Sequence, residues 1–284
     1  MAADRTPDAV DWPGACRRAA AAIRGMLAAR PTIAERVRET GTRGEGGDRT
    51  LLIDAAAEDV VFAELERLHA AGARFTAISE ERGEADFGSR DTLVLIDPLD
   101  GSLNAKRGLS HFALSIAVAD GPTMADVRFG YVHDFGPGEE WLAWRGRGAR
   151  LNGVRLDPRL GERRAHDGRL ELVGVESADP RHVVRSAAAL ADVAQRLRTI
   201  GAIAVTLSQV AAARLDAVVS LRPARAVDVA AAQLIVREAG GQVAFLDCGE
   251  PLGAPLDLEP RSPVVAARTP QGLATVAAVL AARR

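Results

Sequence analysis

The chain has 284 residues, enough for one large core or two closely packed lobes, and its 48% hydrophobic content is ordinary for a soluble globular protein. With 36 basic and 38 acidic side chains the formal charge is −2, so no global field draws it to nucleic acid or to an anionic membrane, and an anionic ligand has to be held by local groups. Cys16 and Cys248 form neither a disulfide framework nor a zinc spacing, the first residues lack the apolar core of a signal peptide, and no stretch is long enough to span a membrane; the expectation is a cytoplasmic protein.

Helical periodicity opens the chain. An Ala-rich segment over 12–29 predicts one helix, and Ile53, Ala57, Val60, Leu65 and Leu68 predict a second over 51–71. After Gly72 come short β-type runs at 75–79, 92–97, 113–118, 128–134 and 139–144, separated by Gly, Asp and Pro. Beyond an Arg-rich stretch at 157–169, strand and helix alternate: a strand over 170–176, helices from Val183 and Val205, and a strand over 216–221. A helix over 227–239 ends at Gly240-Gly241, where positive φ is tolerated, and a strand over 242–247 follows. Thr269-Pro270 reads as the N-cap and first turn of a closing helix. These elements predict an α/β protein with an N-terminal helix–sheet lobe over 1–160 and a C-terminal α/β lobe over 161–284.

The chemistry centres on Leu93-Val94-Leu95-Ile96-Asp97-Pro98-Leu99-Asp100-Gly101-Ser102-Leu103-Asn104. An apolar strand delivers Asp97 to its end, Pro98 cannot donate a ladder hydrogen bond, and Gly101-Ser102 are placed to open a helix whose N–H groups face an anion. Two carboxylates beside such a turn suit a hard cation bridging to phosphate oxygens. Asp-Pro and Asp-Gly are also common turn dipeptides, so this run by itself is equally compatible with a plain turn. Asp54 in the second helix, Glu80 after the strand at 75–79 and Asp228 in the first turn of the helix at 227–239 stand in similar settings, and each alone reads as well as a cap or a surface charge. No Ser, Cys or His in these motifs is placed as an obvious nucleophile, which predicts attack by an activated water without a covalent phospho-enzyme. His-Glu-x-x-His, Walker-type, Gly-x-Ser-x-Gly and Gly-x-Gly-x-x-Gly signatures are absent.

Ser79-Glu80-Glu81, Asp97-Pro98-Leu99-Asp100-Gly101-Ser102 and Val227-Asp228-Val229-Ala230-Ala231 followed by Glu238-Ala239-Gly240-Gly241 resemble, in order and spacing, the signature segments of the inositol monophosphatase family. Gly146-Arg147-Gly148-Ala149 and Leu151-Asn152-Gly153 are similar to it as well. The resemblance implies a layered α-β-α-β-α sandwich and a Mg²⁺-dependent phosphomonoesterase using two or three ions. It implies that Glu80, Asp97, Asp100, Asp228 and the carbonyl of Leu99 are metal ligands, that Asp54 and Ser102 activate the water, and that the Gly101 and Ser102 N–H groups bind phosphate. A homodimer and lithium sensitivity are implied too.

The chain also departs from the animal-type members. Val227 stands where they carry Trp before the last acid, Leu52 stands two before Asp54, and Leu221 stands seven before Asp228 where they place a Glu. Leu221-Arg222 is closer to the archaeal-type branch, which accepts inositol 1-phosphate and fructose 1,6-bisphosphate. Arg222 and Arg225 can pair bidentately with a second phosphate or stand as solvated charges, and Gly201 and Ala202 are further candidate substrate contacts. The expected partner is a small phosphate ester, not nucleic acid or membrane. Alternatives are the same chemistry on a nucleoside phosphate, 3′-phosphoadenosine 5′-phosphate or histidinol phosphate, and a non-catalytic regulatory protein with the same fold. His111 reads as structural.

Overall fold

A computed structural model describes residues 10–43 and 49–282 of the chain. Asp11 caps the first helix, α1 (Trp12–Ala28), by accepting the Gly14 N–H at 2.9 Å, and Pro13 in the first turn needs no partner for its nitrogen. Trp12, Cys16, Ala19, Ile23 and Leu27 share one buried face of α1. After α2 (Ile33–Arg36) and the antiparallel pair β1 (Glu39–Arg43) and β2 (Arg49–Leu51), α3 (Leu52–Ala70) lies against α1 and buries Ile53, Ala57, Val61, Phe62 and Leu65.

This helix pair covers one face of an eight-stranded sheet. Its strands are β3 (Thr76–Ser79), β4 (Gly83–Asp86), β5 (Leu93–Asp100), β6 (Ala113–Ala119), β7 (Val127–Asp134), β8 (Glu139–Trp144), β9 (Gly148–Leu151) and β10 (Val154–Arg155), in the spatial order β10-β9-β8-β7-β6-β5-β3-β4. The short α4 (Ser102–Arg107) follows β5. The remainder of the chain supplies β11 (Leu170–Glu176), α5 (Pro180–Val193), β12 (Ala194–Arg198), α6 (Ile203–Ala211), β13 (Ala217–Ser220), α7 (Ala226–Glu238), β14 (Gln242–Phe245), β15 (Val264–Ala267) and α8 (Pro270–Ala281). Its five strands form a second sheet in the order β12-β11-β13-β15-β14.

Side-chain alternation fixes the layers. In β5, Val94 and Ile96 join the core under α1 and α3, while Leu95 joins the core around α6 and α7 on the other face. In the second sheet Val218 and Ala266 face that same middle core, whereas Ala217, Val219 and Val265 pack with Leu190 of α5 and Val276 of α8. Three cores separate five layers, and the fold is the α-β-α-β-α sandwich expected.

The middle helix α7 buries residues around its circumference, including Val229, Leu234, Ile235 and Val236, each worth roughly 1.5–3 kcal/mol of transfer. Its alanines let it approach closely: a Cβ on Gly130 of β7 would meet the Ala231 carbonyl oxygen at 2.5 Å. Buried Arg268 holds the middle layer to the second sheet by donating to the Ala211 and Ala239 carbonyls at the ends of α6 and α7, at 3.1 and 2.8 Å, and to Leu160 O at 2.8 Å.

Strands β1, β2, β4, β9, β10, β12 and β15 have no counterpart among the sequence expectations, and in the second sheet the reason is plain for both β12 and β15. Only the first residue of β12 is buried, so it carries no apolar pattern, and β15 is a four-residue run enclosed between Pro263 and Arg268. Helix α5 starts at Pro180 behind an Asp179 N-cap rather than at Val183, and α6 starts at Ile203 rather than at Val205.

A candidate metal and phosphate site

Backbone register assembles the acids. Strands β3 and β5 are parallel with Ser79 beside Ile96, so Glu80 leaves β3 level with Asp97 at the carboxyl edge of the sheet. Against β6, Asp97 faces Ser115 and Asp100 faces Ala113, so three steps on one strand match two on the other. That bulge, at Pro98-Leu99, reverses the ordinary alternation. Two acids of odd spacing therefore share one face, the face that Ala113 and Ala117 turn toward α6 and α7. Helix α7 arrives on this face with Asp228 in its first turn.

Glu80, Asp97 and Asp228 each offer a carboxylate oxygen within 4.8 Å of the others. Three such hard oxygen donors suit a divalent cation such as Mg²⁺. Asp97 is 4% exposed and its Oδ1 accepts the Leu99 N–H at 3.0 Å. Burial, then the neighbouring Glu80, Asp100 and Asp228 charges, pushes the Asp97 carboxyl well above its usual range. Burial also lifts Glu80 to about 7, against the opposing pull of Arg225. The Arg225 guanidinium is lodged in this group, with Nη1 at 2.7 Å from Glu80 Oε1 and Nε at 3.3 Å from Asp228 Oδ2.

Asp100 sits beside this trio, with Oδ1 accepting the Ile203 N–H at 3.2 Å and Oδ2 the Ala204 N–H at 2.7 Å, both at the start of α6. Each oxygen retains a second lone pair. Burial, then Asp228, raises its pKa while the Ala204 N–H draws it down. Gly101 follows with φ +83°, and a Cβ there would meet the Ala202 Cβ and the Gly201 carbonyl oxygen at 2.9 Å. Glycine is needed at this position for conformation and for space alike. Gly101 caps α4 without a side chain, so the first N–H groups of the turn, including that of Ser102, project from the helix end. Gly201 and Ala202 thus lie directly against the loop proposed for phosphate.

Several positioning residues escaped sequence reasoning. Asn104 Nδ2 donates to the His111 and Ile200 carbonyls at 2.9 and 2.8 Å, tying α4 to the 200–202 loop. Glu176, buried at the end of β11, accepts the Ile200 and Gly201 N–H groups at 3.2 Å each and the Thr206 hydroxyl at 2.5 Å, and holds that loop from behind. Glu58 of α3 accepts from the Ser79 hydroxyl and from the Arg82 N–H at 3.2 Å, steadying the strand end that presents Glu80. The signal available was an acid one helical turn after Asp54, and a polar residue closing the strand at 170–176. Asp54 is half-buried in the first turn of α3, outside the 4.8 Å trio. Arg222 is exposed, and its carbonyl accepts the Ser220 hydroxyl at 2.7 Å. His111 Nδ1 lies at hydrogen-bond distance, 2.7 Å, from Asp134 Oδ2.

A two-sheet sandwich that gathers acids where strand ends meet a helix start presents a donor set that could hold a metal ion. The chain belongs to the inositol monophosphatase family, whose profile matches residues 14–283. A fructose-1,6-bisphosphatase/inositol-1-monophosphatase of Methanothermobacter thermautotrophicus is 34% identical over 235 residues, 79% of this chain and 80% of that relative. The Nus factor SuhB of Escherichia coli is 36% identical over 197 residues, 67% of this chain and 69% of that protein. Among solved structures, an inositol monophosphatase-fructose 1,6 bisphosphatase is similar with a TM-score of 0.78 at 26% identity, over 95% of this chain and 99% of that one. Family and relatives together make this chain a phosphatase.

Proposed function

We propose that the chain is a Mg²⁺-dependent phosphomonoesterase for a small sugar or cyclitol phosphate, inositol 1-phosphate and fructose 1,6-bisphosphate first among them. The observation that carries this reading is the convergence of Glu80, Asp97 and Asp228 within 4.8 Å at the mouth of the Gly101 loop. Asp100 and the Leu99 carbonyl complete the proposed ligand set for two or three ions. Bound there, Mg²⁺ would neutralise phosphoryl oxygens and acidify a water. The Ser102 hydroxyl, paired with Asp54, would orient that water, the Asp54 carboxylate would receive its proton, and the Gly101 and Ser102 N–H groups would hold the phosphate. Arg222, exposed beyond β13, would pair with a second phosphate, a role that goes with a bisphosphate substrate. In this reading the lobe over 1–160 supplies most ligands, the lobe over 161–284 closes the site with Asp228, and the protein works as a cytoplasmic homodimer. Among the described residues no helix is long and apolar enough to cross a membrane.

Phosphate release is the test, measured with Mg²⁺ and with chelator on inositol 1-phosphate, fructose 1,6-bisphosphate, 3′-phosphoadenosine 5′-phosphate, a nucleoside phosphate and histidinol phosphate. Mg²⁺-dependent turnover of the first two supports the reading; turnover confined to the others reassigns the substrate, and none at all refutes it. The similarity to a protein named Nus factor SuhB favours a second reading, in which the fold acts by binding a macromolecule. A carboxylate set this crowded serves no scaffold, because burial and mutual repulsion both oppose it.

A further inference from the structure

Arg225 occupies the N-cap position of α7, with φ −79° and ψ 153°. Ser, Thr, Asp or Asn is the usual residue there, because a side-chain oxygen satisfies the first N–H groups, and a cation at this end opposes the helix dipole. The guanidinium is nonetheless turned inward. Its side chain is only 20% exposed, and it is held by Glu80 Oε1 at 2.7 Å and by Asp228 Oδ2 at 3.3 Å. Both acids belong to the trio whose oxygens lie within 4.8 Å of one another. Carboxylates this close and this shielded from water need a positive charge, and the Arg225 guanidinium brings one to Glu80 and Asp228.

We propose that Arg225 is a resident counter-cation of the Glu80–Asp97–Asp228 cluster, which a divalent ion has to displace, so that this side chain sets the metal concentration at which the site fills. The proposal rests on the reading above that the cluster binds such an ion. A dication among the same oxygens repels the guanidinium and takes over its partners, so the arginine must swing away or loosen as the ion enters. Two properties follow. The metal-free protein keeps a neutralised, folded site, and the ion binds more weakly than to the carboxylates alone, because breaking the Arg225 contacts is part of the binding equilibrium.

The experiment uses the full chain freed of metal by chelator. Mn²⁺ binding is followed by the paramagnetic resonance signal of the free ion, in wild type, Arg225→Gln, Arg225→Lys and Asp97→Asn. Saturable wild-type binding that is lost in Asp97→Asn and tightened at least about fivefold in Arg225→Gln, the lower end of ordinary coupling between sites, supports the proposal, with Arg225→Lys staying nearer to wild type. Equal or weaker binding in Arg225→Gln, with wild type saturable, overturns the proposal alone. Saturation in neither protein overturns the metal reading and the proposal with it. Should Arg225→Gln fail to fold, the ¹⁵Nε–H signal of Arg225 in the wild type, assigned by its absence in Arg225→Lys, decides the matter: a shift that saturates with Mg²⁺ supports displacement, and a signal unmoved at saturating Mg²⁺ refutes it.

Discussion

Asp100 accepts the backbone N–H of Ala204 at 2.7 Å across 104 residues of chain, so the second acid of the Asp-Pro-Leu-Asp turn is also the anchor for the start of α6. This gives the residue a task that persists without metal. Replacing Asp100 with Ala leaves the Ile203 and Ala204 N–H groups without their acceptor, and an orphaned buried donor costs about 1–3 kcal/mol. Urea unfolding in chelator should therefore show Asp100→Ala less stable by about 2 kcal/mol or more. A residue that only bound metal would give the opposite sign, since deleting one of several crowded carboxylates relieves repulsion.

Gly101 is predicted to tolerate no side chain. With φ +83° and only 2.9 Å to the Ala202 Cβ and the Gly201 carbonyl oxygen, Gly101→Ala has to push the 200–202 loop away from α4. Displacements near 1 Å in a phosphate-positioning loop cost on the order of 10²-fold in turnover. Steady-state kinetics on the best substrate should show that loss mainly in kcat, with a lowered Tm; unchanged kinetics would remove Gly101 from the site.

The charge cluster predicts how Mg²⁺ stabilisation varies with pH. Burial, then acidic neighbours, raises Asp97 and Asp100 above the ordinary carboxylate range, and burial lifts Glu80 to about 7. A raised folded-state value contributes stability that is complete below the unfolded value, about 4 to 4.5, and is lost as pH climbs through the folded value. Buried His133, lowered by burial and then Arg24 to about 4, acts oppositely: its stabilisation is present above about 6.5 and fades as pH falls toward 4. Comparing Tm with and without Mg²⁺ at each pH cancels the histidine. The Mg²⁺-induced rise should be small at pH 5 and larger at pH 8, because binding needs the deprotonated acids. A flat profile would contradict ligation by these residues.

Arg268 is predicted to matter for stability and not for chemistry. Arg268→Met removes donors to the Ala211, Ala239 and Leu160 carbonyls at once, which should cost about 3 kcal/mol or more in urea unfolding. KM of the folded fraction should stay at the wild-type value.

Much of this architecture is legible in the sequence because strand and helix periods are plain where both faces are buried, as in β5 and α7. Glu80, Asp97, Asp100 and Asp228 could be singled out one by one from their positions at strand ends and helix starts. What local pattern could not reveal is the bulge at Pro98-Leu99, since it appears only when β5 is laid against β6, and it alone puts Asp97 and Asp100 on one face. Strand β12 was hidden by its solvated side chains, and Glu176 and Asn104 by contacts that close only in three dimensions. In the sequence Arg225 reads either as a partner for a second phosphate or as a solvated charge, and its contacts with Glu80 and Asp228, at 2.7 and 3.3 Å, close only in three dimensions.

The most direct measurement is phosphate release by Asp97→Asn beside wild type across a Mg²⁺ titration, with circular dichroism to verify folding. If buried acids gather the ions that break the ester, the variant keeps its fold and loses turnover at every Mg²⁺ concentration. Near-normal turnover in a folded Asp97→Asn protein would show that the cluster is not where the reaction happens.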